Sequence, residues 1–301
     1  MIRLSMTRPG AGLAIALAMV GVLATAACDT KDLLEQTAPS TFADQNLNDP
    51  TSATLLVNSA IGDFECALAQ YIVATGLVSD ELLDAQLGVA GWDYDRRTIV
   101  PSLTPYATNT CNSTQVVGLY TPISIARFTG DDATRRLEKW TDAQVPNRQE
   151  LIATAATHAG FALLLLGESS CSAAIDGGPE LTPAQLFTEA ETRFTKAIGV
   201  SAAGSAIRAL ALAGRARARL DLKNYAGAKA DAQAVPADFV RNATYSQSRT
   251  RRENRVYAQM WRDNFASVEA PFRNLTFGGV PDPRVTVVNT ARFHGVEAFR
   301  D

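Results

Sequence analysis

"GRARARLDLKNYAGAKADA", residues 214–232, decides the architecture. Together with the residues just before it ("AIRALALAGRARARL", 206–220), it opens with a helix of two unlike sides. Arg208, Arg215 and Arg219 run along one side, and Ala209, Ala213, Ala216 and Leu220 along another. The polar DLKNY (221–225) turns the chain. Ala226, Ala230 and Ala234 then carry a second helix as far as Pro236. The residue before a proline is driven out of helical conformation, so the helix stops there. Small side chains at three- and four-residue spacing let two helices approach closely, which predicts a stacked helical hairpin.

A second pair lies upstream. Asn147 precedes Arg148-Gln149-Glu150, an expected N-cap with Glu at the third helical position. Leu151, Ile152, Ala155, Ala159, Ala162, Leu163 and Leu166 form its stripe. Thr182-Pro183-Ala184-Gln185 adds proline at the first helical position to a capping box, and Leu186, Phe187, Ala190, Phe194, Ala197 and Ile198 line one face. The turn within this pair is stretched over residues 168–182, so the period is irregular. The segment "RARARLDLKNYAGAKADAQAV" (215–235) resembles a tetratricopeptide repeat, with Tyr225 in the place of the aromatic that ends the turn. Units of this kind cannot bury their apolar faces alone and stack into a scaffold.

Further out the pattern changes. From Ala53, the positions Val57, Ile61, Phe64, Leu68, Tyr71 and Ile72 predict a long helix ending near Ser79-Asp80-Glu81. Residues 76–113, with Gly88, Gly91, Pro101 and Pro105, read as an irregular connection, and a helical pattern returns over about 115–141. "RNLTF" and "RVTVVN" alternate like strands around Gly278-Gly279 and Pro281-Asp282-Pro283. The expected fold class is mainly α, with tetratricopeptide-like helical hairpins, irregular loops and a little β near the C-terminus.

The N-terminus bears on location. Arg3 and Arg8, without an acid nearby, precede sixteen small or apolar residues, 11–26, which have the layout of a secretory leader. As a helix these span about 24 Å, short of the ~20 residues a bilayer core requires. Thr25-Ala26-Ala27-Cys28 resembles the bacterial lipobox, with Thr25 where Leu is usual. Cys28 is therefore read as the first mature residue and a lipid anchor. The expected division is leader 1–27, tether 28–50 and helical domain 51–301. Removing the leader takes away Arg3 and Arg8, leaving 26 basic and 31 acidic residues and a net charge of −5. That balance argues against a nucleic-acid partner. The cluster Arg249, Arg251, Arg252 and Arg255, interrupted by Glu253, reads as a solvated face. Cys66, Cys111 and Cys171 allow one disulfide and one leftover thiol. Sequence leaves all three pairings open, with a lean to Cys66–Cys111. No spacing suits a metal or another cofactor.

The order of these features (Cys28-Asp29, a polar tether, a long helix to Ser79-Asp80-Glu81, then "GRARARLDLKNYAGAKADA") resembles the SusD/RagB family over roughly residues 28–290. The resemblance implies an outer-membrane lipoprotein, lipid-anchored and surface-exposed, in a Bacteroidetes-like bacterium. Such proteins bind glycans or peptides and sit as lids on TonB-dependent transporters. The later family helices have no counterpart after "DPRV" (282–285), so a short or truncated member is expected.

Glycan capture calls for exposed aromatic faces beside groups that hold hydroxyls. "GWDYDRR" (91–97) offers Trp92, Tyr94, Asp93 and Arg96 as candidate ligand contacts, against the simpler reading that its aromatics pin a loop. Tyr257, Trp261 and Trp140 read as core, and His158 as a structural histidine. The acids Asp80, Glu81 and Asp84, or Asp93 and Asp95, lack the marks of a glycosidase pair. No nucleophile, zinc or phosphate-loop motif is present, so no enzyme is expected. The leading reading is a non-catalytic lipoprotein that delivers glycan to a TonB-dependent transporter. A tetratricopeptide-like envelope scaffold is the alternative, and a secreted hydrolase stands third.

Overall fold

Phe194 marks the place where three helices meet. Its ring is fully buried, and a Cβ added at Gly160 or Gly214 would lie 2.8 Å or 2.4 Å from it. Glycine on both flanking helices is what lets the ring fit between them. The computed structural model that shows this describes residues 44–85, 92–99, 110–112, 117–283, 287–293 and 297–300. Cys28, the leader and the tether up to residue 43 lie outside the described residues.

Among the described residues the chain forms eight α-helices packed in adjacent pairs: α1 (Ala53–Val78), α2 (Trp92–Asp95), α3 (Tyr120–Lys139), α4 (Arg148–Ser169), α5 (Pro183–Val200), α6 (Ala206–Asp221), α7 (Tyr225–Ala234) and α8 (Arg255–Tyr257). α3 packs on α1 and α4, α5 on α4 and α6, and α7 on α6, while α1, α4 and α6 lie side by side. Contacts advance together along α1 and α4: Phe64 meets Phe161, and Tyr71 reaches Glu168. These two helices of the row are therefore parallel. α4 sits at the centre, and from Ile152 to Gly167 nearly every residue is buried. A helix that is apolar all round belongs in such a core. All of this, from Asn48 onward, is one compact unit; Asp44–Leu47 belong to a separate unit and form most of a 3-10 turn.

Local chemistry accounts for most element boundaries. The Thr182 backbone N–H donates to Gln185 Oε1 at 2.8 Å, and the Thr182 hydroxyl accepts from the Gln185 N–H, completing the expected capping box. The buried face of α5 is the six residues read from sequence. Asn147 differs: it holds a left-handed φ of 58° and makes no side-chain cap. Glu150 instead accepts from the Ala202 N–H at 3.2 Å, tying the start of α4 to the end of α5. α3 begins at Tyr120 rather than 115.

The hairpin that opened the sequence reading forms, with its faces redrawn. Leu220 and Tyr225 are more than half exposed, and Ala226, Ala230 and Ala234 face solvent. Ala228 and Asp231 carry the contact of α7. Asp231 accepts from Arg215 Nε and Nη2 at 2.8 and 2.7 Å and from Arg219 Nη1 at 2.8 Å, and Arg219 Nε donates to Glu191 at 2.7 Å. The arginine side of α6 is thus an ionic seam to α5 and α7, which displaces the expected alanine seam.

A second core lies at the other end of α1. Val73, Ala74, Leu77, Leu82, Tyr94, Val117, Met260, Ala266 and Val268 pack there. β1 (Leu82–Asp84) pairs antiparallel with β4 (Ala266–Val268), and the short β2 (Ala173–Ala174) pairs with β3 (Glu180–Leu181). β5 (Thr276–Phe277) turns straight back into β6 (Val280–Pro281), because Gly278 and Gly279 both adopt the positive φ that a two-residue hairpin requires. β7 (Val288–Phe293) pairs with β8 (Glu297–Arg300). α8 runs into a π-helical turn, Ala258–Arg262, and this places Tyr257 and Trp261 at the surface, 41% and 39% exposed, rather than in the core. Trp140 is half-buried beyond α3. Cys66 and Cys111 form the disulfide, and Cys171 is a free, exposed thiol.

Candidate functional site

The 92–97 loop closes over the second core. Tyr94 is 1% exposed and donates its hydroxyl to Val117 O at 3.2 Å, so this side chain works as a packing group. Burial raises its phenol far above the ordinary range. Asp93 accepts from the Thr98 hydroxyl at 2.8 Å, and Arg96 is exposed. The side chain of Trp92 lies outside the described residues. Of the four residues proposed from sequence, Tyr94 is thus withdrawn from any ligand surface.

A more concentrated site lies on the row formed by α1, α4 and α6. A cleft of about 230 Å³ is lined by Phe64, Leu68, Phe161 and Leu165, with Glu65, His158, Arg217 and Arg241 as its ionisable groups. Phe64 meets the imidazole of His158 edge to face at 5.4 Å and Phe161 at 5.7 Å. Few polar groups converging on an apolar cleft is the usual make-up of a small-ligand site.

Residues 241–252 cross α1 beside this cleft and are held by two buried acids. Glu65, 3% exposed, accepts from the Thr244 N–H at 2.8 Å and from Arg252 Nη2 at 2.9 Å. Tyr245 donates to Glu65 O at 3.1 Å, and Arg251 pairs with Asp63. Glu168, which accepts from Tyr71 at 2.8 Å, takes both Nε and Nη2 of Arg217 at 2.7 and 2.6 Å. Arg255 is itself buried, 2% exposed. The arginine cluster is therefore not a solvated face: two of its members anchor a crossing segment and one is interior. Sequence reading missed Glu65, although "DFEC" (63–66) places two acids within an apolar helix. That misfit was the available signal.

His158 closes one side of the cleft. Its Nδ1 lies 2.7 Å from Thr154 O, so Nδ1 carries the proton and Nε2 the lone pair. Among the described residues Nε2 has no hydrogen-bond partner. Burial pushes the imidazole down to about 4, with the Arg241 charge adding to the effect and the Thr154 carbonyl opposing it. Between pH 6.5 and 4 the unfolded chain binds a proton that the native state refuses. Stability is therefore held above pH 6.5 and falls by about 3 kcal/mol as pH drops to 4. Urea titrations at pH 7 and pH 4 measure this, and His158→Gln should flatten that share of the slope. An unchanged slope would mean that the imidazole is not buried neutral.

No protein-family model and no curated protein matches this chain. The class that the fold defines is mainly α: among the described residues, eight α-helices packed in adjacent pairs, with small two-stranded sheets.

Proposed function

We propose that this chain is a non-catalytic lipoprotein of the SusD/RagB type. It is acylated at Cys28, captures glycan-type nutrients at the outer surface of the outer membrane, and delivers them to a TonB-dependent transporter. The observation that carries the reading is the succession of helix pairs α4–α5 and α6–α7 at the place where the family resemblance asks for tetratricopeptide-like hairpins. Leader, lipobox-like cysteine and polar tether precede them in the order such a protein needs. The stack supplies a rigid row of helices, and the cleft on that row has the aromatic and polar groups that a sugar ring requires.

Cell fractionation tests the anchoring half of this proposal. Wild-type protein should sediment with outer membranes, incorporate labelled palmitate and be cut by protease added outside intact cells. Cys28→Ala should be unlabelled and soluble in the periplasm. Wild-type protein that is unlabelled and soluble would overturn it.

One observation favours the envelope-scaffold alternative. Leu220, Tyr225, Ala226, Ala230 and Ala234 leave the α6–α7 pair with an uncovered face, where a scaffold would continue onto a protein partner.

A further inference from the structure

Beside the aromatic cleft lies a second, polar one of about 540 Å³, lined by Asn58, Ser59, Thr244, Arg241, Arg249, Arg251 and Arg252 among others. Arg241 lines both. Two of the four arginines are neutralised by Asp63 and Glu65. Arg241 and Arg249 are exposed, and among the described residues neither side chain makes a hydrogen bond or ion pair. The polar cleft therefore holds about two uncompensated positive charges, although the chain as a whole is acidic.

We infer that the two clefts together bind an acidic oligosaccharide, with a uronate carboxylate on Arg241 and Arg249 and a sugar ring in the aromatic cleft. The inference rests on the glycan-capture reading above and specifies its ligand. Each part of such a ligand meets a group suited to it. The planar fork of a guanidinium matches a carboxylate. Phe64 and Phe161 offer apolar surface to the CH face of a pyranose. About 230 Å³ accommodates one six-membered ring, since a cavity of ~150 Å³ holds benzene. The lone pair of His158 Nε2, without a hydrogen-bond partner among the described residues, accepts from a ring hydroxyl. Asn58, Ser59 and Thr244 serve the hydroxyls of the next residue in the polar cleft.

These roles divide the residues into two kinds. Arg251 and Arg252 position the crossing segment through Asp63 and Glu65, so replacing them would disturb the fold. Arg241 and Arg249 have no structural partner, and their removal should leave the protein intact. They are the ones to change.

The test is calorimetric titration of the full-length lipoprotein in detergent with a galacturonic acid trimer, a neutral galactose trimer and inorganic phosphate. The uronate trimer should bind and the neutral trimer far more weakly. Arg241→Ala and Arg249→Ala should each weaken uronate binding about tenfold or more, with unchanged circular dichroism. Added sodium chloride should weaken it too, because exposed charges are screened. No uronate binding at millimolar concentration, or binding that neither substitution alters, overturns the inference. So does phosphate binding as tight as uronate binding, which would reduce the cleft to a bare anion site. The neutral trimer binding as well as the acidic one, or a silent cleft in a protein that still co-purifies with a transporter, would sink the acidic ligand and leave glycan capture standing. Arginine-dependent uronate binding without any transporter would support the cleft and count against transporter delivery.

Discussion

Removing the Cys66–Cys111 disulfide should lower the unfolding free energy by about 4 kcal/mol, the chain-entropy value for a closed loop of this length. The bridge spans 45 residues of sequence. It joins the buried middle of α1 to a connection that includes β1 and α2 with its buried Tyr94. Those elements carry few contacts of their own, and their order depends on the second core. Without the bridge, the unfolded chain gains the freedom of that whole segment. The comparison is urea unfolding of Cys66→Ala/Cys111→Ala against the parent, both with Cys171→Ser to remove the exposed thiol. A loss below about 1 kcal/mol would show that the second core holds this connection without the covalent tie.

Phe194→Ala should cost about as much, on the order of 4 kcal/mol. The ring contacts Phe161 edge to face at 5.0 Å and fills the space left by Gly160 and Gly214. Neither glycine has a side chain to move into the vacancy, and the helix backbones are held by the rest of the core. The cavity therefore stays open, and the loss exceeds simple transfer of the side chain to water. For a chain of this size the midpoint of thermal unfolding should fall by roughly 10 °C. Gly214→Val in the Phe194→Ala background should recover part of the loss, because its methyl groups enter the emptied space. A change near zero in the single variant would mean that α4, α5 and α6 do not converge on that ring.

How far the sequence could be read depended on what kind of force set each element. The α5 face was legible because one apolar stripe and one capping box suffice to define it. The α6–α7 hairpin was legible as a hairpin but not as an interface. Alanine spacing suggested a close apolar seam, whereas Asp231, one acid among small residues, draws Arg215 and Arg219 across and turns the alanines outward. Asn147 had the right residue type and the right neighbours for a cap. Its left-handed backbone and the pull of Ala202 on Glu150 are tertiary effects that spacing does not encode.

The candidate site was less legible for a related reason. Tyr94 lay in a short motif with the composition of a sugar platform, but the burial of a side chain depends on what folds over it. The cleft between α1, α4 and α6 is built from residues more than 170 positions apart, such as Glu65 and Arg241. Asp63 and Glu65, two acids within an apolar helix, hinted at it, since a buried carboxylate requires a partner. Arg241 and Arg249 gave no local sign at all. They stand out because their neighbours in the cluster are paired and they are not.

The function proposed above pairs this chain, as a lipid-anchored protein, with a transporter. The most direct measurement is affinity purification of the tagged full-length chain from detergent-solubilised outer membranes, followed by mass spectrometry of what accompanies it. A large TonB-dependent β-barrel in near-equal amount, absent when Cys28→Ala is used as bait, is the predicted result. Recovery of soluble envelope proteins alone, or of no partner, would contradict it.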